Sequence, residues 1–238
     1  MDLAHLIDPA AAVIVVGGTL VATMLRAGRQ ECAITLHALA ALVRAPFPAD
    51  AVRAEVATLV SQIRVDGMFR ARPRPLGDAA LDDATDAMIE QHSVDALLER
   101  HAAHAKARVA RATRAVHTLA MAADLGPVFG LAGTLISLSQ LPSQGIARSM
   151  FMGAISMSVL TTLYGLLFAN IVLAPLARAV ERRCLREEAA RQDIADWLAG
   201  QVRRVVPHLN AGHAHAQQQH LHARIVEGGG LAPPREAA

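Results

Sequence analysis

The residues of this sequence whose type and spacing bear on chemistry are hydroxyls set in long uncharged runs. The polar inventory of those runs is mostly hydroxyls, among them Thr134, Ser137, Ser139, Ser156, Ser158, Thr161 and Thr162. In the last run Ala154, Ser158, Thr161, Gly165 and Ala169 recur at helical spacing, one stripe of small and hydroxyl residues. Gly126, Gly130 and Gly133 form a comparable face on the preceding run. Such stripes have two readings. Small residues let helix backbones approach one another in a membrane, and hydroxyls replace part of an ion's hydration shell without the cost of burying a charge. Spacing alone favours packing, and the two roles are compatible. Thr134, Ser158, Thr161 and Thr162 are the candidate ion-path residues.

Asp124 is the one carboxylate at the edge of a run, just before the uncharged stretch that begins at Leu125, and no carboxylate, histidine, lysine or arginine lies deeper. An ionisable group at membrane depth is a functional hypothesis by default. A proton relay needs a group that changes protonation, and hydroxyls titrate far too high. If protons cross here, the central carboxylate comes from another polypeptide, and this chain is half of a channel. Pro127 and Pro175 interrupt helical hydrogen bonding inside two of the runs. They are either static kinks or hinges that couple ion binding to the rest of the chain. No phosphate loop ending in GK[ST], no HExxH and no GxSxG occurs, so neither an enzyme nor a cofactor site is expected. His208, His213, His215, His220 and His222 lack regular ligand spacing and a supporting carboxylate. They read as a flexible, solvated tail over 207–238, with no metal site assigned.

The elements that position these residues follow from hydropathy. The 238 residues are 53% hydrophobic, 3% aromatic and 18% charged, where soluble domains carry about 25% charged residues. Three spanning helices are expected, over 9–25, 115–141 and 149–177. The first is near the lower limit of about 17–25 residues for a crossing. A signal peptide would carry a positive leading region, whereas Asp2 and Asp8 precede this run and Arg26 and Arg29 follow it. The third is longer than a ~30 Å hydrocarbon core requires and must tilt or protrude. LPSQGIARS joins the second and third as a hairpin over 142–148, so these two are antiparallel neighbours.

Arginine placement sets the orientation. Arg26, Arg29, Arg108, Arg111, Arg114, Arg178, Arg182, Arg183 and Arg186 flank the inner ends, and the hairpin carries only Arg148. The N-terminus (1–8) and hairpin are therefore expected outside. The helical segment 26–114 and the charged helix 178–206 are expected in the cytoplasm. Within the former, Met88, Ile89, Val94, Leu97 and Leu98 share a buried helical face, and FRARPRPLGD reads as a loop. Lys106 is the only lysine and aromatics are nearly absent, which argues against nucleic-acid binding. Cys32 and Cys184 have no CxxC spacing and fall in the cytoplasmic parts, where thiols stay reduced. The fold class is thus an all-α integral membrane protein with three spans and a cytoplasmic helical domain.

Four stretches resemble the MotA/TolQ/ExbB proton channel family, in particular its flagellar stator A-subunit branch. They are AAAVIVVGGTLVATML, IRVDGMFRARP, ADLGPVFGLAGTLISL and TTLYGLLFANIVLAPLA. In the last two, Pro, Gly and Thr positions match together. The likeness spans roughly 9–206. The resemblance implies a bacterial inner-membrane pentamer of A-type subunits around two single-span B-type subunits, whose membrane aspartate carries the ion. It implies that Pro127 and Pro175 are the functional prolines, that Thr161 or Thr162 lines the ion path, and that Asp124 is the acidic position before the first proline. Ion passage would turn the pentamer against the flagellar rotor. The stator branch has four spans, whereas three with an outside N-terminus is the TolQ/ExbB plan for energising outer-membrane processes. Ala71, Arg72, Pro73 and Arg74 stand where the stator segment carries an acidic residue. Arg70, Arg72 and Arg74 are therefore rotor-contact candidates by charge alone. A non-conducting scaffold is the reading from outside this class. Hydroxyl linings serve protons and sodium alike, so the ion stays open.

Overall fold

The computed structural model describes residues 9–67, 75–139 and 148–205, and no strand occurs among them. The expected segment 1–8, the hairpin before Arg148, Arg70, Arg72 and Arg74, and the tail 207–238 lie outside the described residues. Helix α1 runs through Pro9–Ala12, a π-helical stretch Val13–Gly17, and Gly18–Ala27. Helices α2, α3, α4 and α5 are Arg29–Val43, Ala49–Asp66, Ala79–Gln91 and Val94–Ser139. Helix α6 runs through Arg148–Leu167, a second π stretch Phe168–Leu173, and Ala174–Val205. The stretches Val94–Ser139 and Phe151–Val205 are long and apolar enough to cross a membrane, and Val13–Ala27 is a shorter apolar helix.

The chain divides into two compact units, Met1–Phe47 with Ala105–Glu188, and Pro48–His104 with Ala189–Ala238. In the first, Gly28 separates α1 from α2. Its φ of 85° lies in the left-handed region, and its N–H closes α1 on Met24 O at 3.0 Å. The core is built from small and branched residues: Ala115, Leu119, Ala122, Leu173, Ala177 and Val180, with Ile34, Ala38 and Leu39 of α2 against them. Arginines fasten the helices around it. Arg108 grips Glu188 with two bonds of 2.5 and 2.8 Å, and Arg114 grips Glu31 in the same two-pronged way. Arg183 donates to the carbonyls of Leu42, Arg44 and Ala45, which end α2, and to Glu187. Those carbonyls would otherwise be left open at a helix C-terminus.

In the second unit, Val52, Val56, Leu59 and Ile63 recur at helical spacing along α3 and are buried with Leu81, Met88, Leu97, Leu198 and Val202. Asp78 caps α4, accepting from the N–H groups of Ala80 and Leu81 at 3.0 and 3.2 Å. It also takes a 2.8 Å bond from Arg191. Burial works to raise the Asp78 pKa, but Arg191 and the two N–H groups outweigh it and hold the carboxyl below its usual range. One helical periodicity runs from 85 to 109 in the sequence, yet the backbone turns at His92. That residue adopts φ 51° and ψ 37°, and Ser93 N–H bonds back to Met88 O at 3.1 Å. Met88, Val94 and Leu97 are still all buried, because the turn returns the apolar face to the same core.

The two units differ on their outside. In the first, Val13, Leu20, Val21, Met24 and Leu25 of α1, Leu131 and Leu135 of α5, and Val159 and Ile171 of α6 stand exposed, Leu25 to 82%. Apolar surface of this extent on neighbouring helices marks a face covered by lipid or protein. In the second, the large apolar residues of α4 are turned inward.

Candidate ion-path site

The glycine face of α5 and the threonines of α6 come together where the two helices cross. Gly126, Gly130 and Gly133 sit on α5 at spacings of four and three, and all three face α6. A Cβ built on Gly126 would lie 2.9 Å from Gly165 O, and one on Gly130 would lie 3.0 Å from Thr161 O. A Cβ on Gly133 would lie 2.8 Å from Thr161 Cβ. These glycines therefore set the distance between the helices. On α1, Gly18 plays the same part against the ring of Phe129.

Thr161 is fully buried at this crossing, and its hydroxyl donates to Ser158 O at 3.0 Å. Thr162 is half-buried and donates to the same carbonyl at 3.2 Å. Ser158 donates to Ile155 O at 2.8 Å and Thr134 to Leu131 O at 2.6 Å. Each hydroxyl proton is thus turned back onto its own helix. The oxygen lone pairs remain, so the hydroxyls that keep an open face can still accept a bond from water or meet a cation. Thr161 is packed against Gly133 of α5; Thr162, Ser158 and Thr134 keep partly open faces.

Pro127 lies inside α5, one residue after Gly126, and is half-buried. Pro175 is exposed and lies two residues beyond the end of the π stretch Phe168–Leu173. Proline has no N–H, so the carbonyl one turn back is freed, and a wider turn is one way the helix accommodates it. Asp124 is exposed on α5, three residues before Pro127. It is on the same helix as the glycine face, but no bond joins it to the threonines. Sequence reading missed Asn170, whose side-chain amide donates to Leu166 O at 2.9 Å on the exposed side of the second π stretch. It also missed the Arg114–Glu31, Arg108–Glu188 and Arg183 contacts, whose partners are 80 or more residues apart. Among the described residues no group of His, Cys, Asp and Glu is arranged to hold a metal.

Residues 73–193, half of the chain, match the MotA/TolQ/ExbB proton channel family. The chain belongs to that family. The match covers both glycine and threonine faces and both prolines. Motility protein A of Cereibacter sphaeroides is 26% identical over 157 residues, which are 66% of this chain and 62% of that protein. The chemotaxis protein PomA of Vibrio alginolyticus is 24% identical over 197 residues, 81% of this chain and 76% of PomA. The aligned part thus spans under two thirds of the first relative's length. The fold is that of chains in two solved MotAB stator complexes. For the one from Bacillus subtilis the TM-score is 0.74 at 18% identity, covering 85% of this chain and 81% of that one. For C. jejuni MotAB it is 0.76 at 14% identity, covering 88% and 85%. The family's all-helical architecture is therefore the architecture of this member.

Proposed function

We propose that this chain is the A-type, channel-forming subunit of a stator that converts ion-motive force into flagellar rotation, with protons as the ion. The observation that carries the reading is the α5–α6 crossing. Glycines bring two apolar helices to backbone contact beside a column of hydroxyls, within the region matched to a proton channel family. Relatives named for motility add weight.

In this reading α1, α5 and α6 cross the bacterial inner membrane over 9–25, 115–141 and 149–177, with the N-terminus outside. The helices of 26–114 and 178–206 stand in the cytoplasm. Five copies surround two single-span B-type partners that supply the titrating aspartate, because this chain has no carboxylate deeper than Asp124. Thr161, Thr162, Ser158 and Thr134 border the ion path by their lone pairs. Pro127 and Pro175 are hinges that pass the ion-driven change to the cytoplasmic helices. Arg70, Arg72 and Arg74 contact the rotor.

Replacing Thr161 and Thr162 together with Val tests the chemistry, since Val keeps the shape and removes the hydroxyl. The expected result is loss of rotation with the complex still assembled, measured by tethered-cell rotation and co-purification of the B-type partner. Full rotation in the double variant would show that these hydroxyls do not border the path. The TolQ/ExbB-like role predicts instead that loss of the gene compromises outer-membrane integrity and leaves swimming intact.

A further inference from the structure

Between Gly165 and Ala177 the last apolar run carries one polar side chain, Asn170. It is exposed, and it sits in the second π stretch of α6 with Leu166 one turn before it. Its amide nitrogen lies 2.9 Å from Leu166 O. A carbonyl oxygen only accepts, so this bond fixes the amide: one N–H points back to the helix and Oδ1 points away from it. An amide whose carbonyl meets only hydrocarbon is costly, so Asn170 needs a polar neighbour from outside the chain.

Ser158, Thr162, Leu166 and Asn170 follow one another at intervals of four. Each such step carries a row about 40° around an α-helix, so Thr162 and Asn170 stand within about a quarter turn of each other. The wider turn of the π stretch reduces that drift and keeps Asn170 over Leu166. The three polar members share one arrangement. Ser158 and Thr162 also donate inward, to Ile155 O and Ser158 O at 2.8 and 3.2 Å, and keep acceptor lone pairs free. The row thus presents acceptors over ~18 Å of helix. A neighbouring membrane helix has its backbone N–H groups engaged in its own hydrogen bonds, whereas water and a cation suit a row of acceptors.

We propose that Asn170 is a further polar group of the ion path, on the Pro175 side of the threonines, with Oδ1 accepting from the water that accompanies the ion. The inference rests on the channel reading above and adds a residue to it. Asn170 does not titrate. It holds water in line across the otherwise apolar stretch 165–177, about 12 Å along the helix from Thr162.

The test uses the full chain with its B-type partner in a strain whose other stator genes are removed. Asn170→Leu keeps the size of the side chain and removes the amide. Low-load rotation speed, which ion transit limits, is expected to fall about fivefold. Stall torque, which the ion-motive force sets, and co-purification of the B-type partner should both be retained. Asn170→Ser, which keeps an acceptor, should restore most of the speed. Unchanged speed in Asn170→Leu would overturn the proposal. Loss of co-purification that Asn170→Ser restores would also overturn it, since that marks a contact with the partner's helix. A second measurement does not depend on the leucine variant folding. Cys32→Ser and Cys184→Ser remove both thiols, and Asn170→Cys or Val21→Cys is then introduced. A charged methanethiosulfonate reagent reacts with thiols that water reaches, so it should modify Asn170→Cys in native membranes and spare Val21→Cys on the exposed apolar side of α1. Modification of neither, or of both equally, would overturn the proposal. A wild-type chain that drives no rotation would remove the channel reading itself, an outcome separable from normal rotation by Asn170→Leu.

Discussion

At the scale of single residues, the α5–α6 crossing rests on what glycine lacks. Gly133→Ala would drive a Cβ to 2.8 Å from both Thr161 Cβ and Cγ2, with no flexible side-chain end to yield. The expected cost is about 1–3 kcal/mol of overpacking, read as a lowered Tm of the purified chain in detergent. Gly153→Ala, where nothing lies within 4 Å, should leave Tm unchanged. Equal effects would mean that Gly133 does not set the helix distance. Asp78 is the second such point. Asp78→Ala removes the α4 cap and takes from the nearly buried Arg191 its carboxylate partner, for a loss of about 3 kcal/mol. Because its folded pKa is depressed, its contribution is complete above the unfolded value of about 3.8 and is lost as pH falls through the lower folded value. Chemical denaturation of the wild type and the variant should therefore differ at pH 7 and converge in strong acid. A gap that persists there would assign the effect to packing.

At the scale of helices, the sequence made the apolar runs, the stripe of small residues and both prolines legible, because each is a local pattern of period 3.6 or a single backbone exception. It did not reveal the turn at His92. The apolar period continues across that residue, and only its left-handed backbone reverses the chain. The π stretches were equally hidden, since one misplaced hydrogen bond leaves no mark on hydropathy. The arginine clasps escaped because their partners are separated by 80 to 141 residues. Arg183 shows what they do. Three carbonyls at the end of α2 depend on one guanidinium of α6, so Arg183→Ala should speed amide exchange around 42–47 while leaving the ends of α4 unchanged. Uniform exchange across both would show a global loss of stability and no local latch. For the prolines, Pro175→Ala restores an N–H just beyond the second π stretch. If the hinge reading holds, rotation falls while the complex still assembles; unchanged torque would leave Pro175 a static kink.

At the scale of the molecule, the first unit carries the exposed apolar faces and the glycine crossing, and the second has a conventional inward-facing core. Composition already separated these characters, because charge is absent from the runs and dense outside them. The family match includes residues of both, and in the proposed role the titrating carboxylate is left to a partner. The candidate site was therefore legible only in half, as a lining without its central group. The measurement that tests the stator role most directly is the swimming of a clean deletion strain, with flagellar filaments counted by microscopy and the gene returned in trans. In a strain whose other stator genes are also removed, the account predicts filaments in normal number, paralysis, and swimming restored by this gene with its B-type partner. Filaments that stay paralysed after the pair is returned would contradict it.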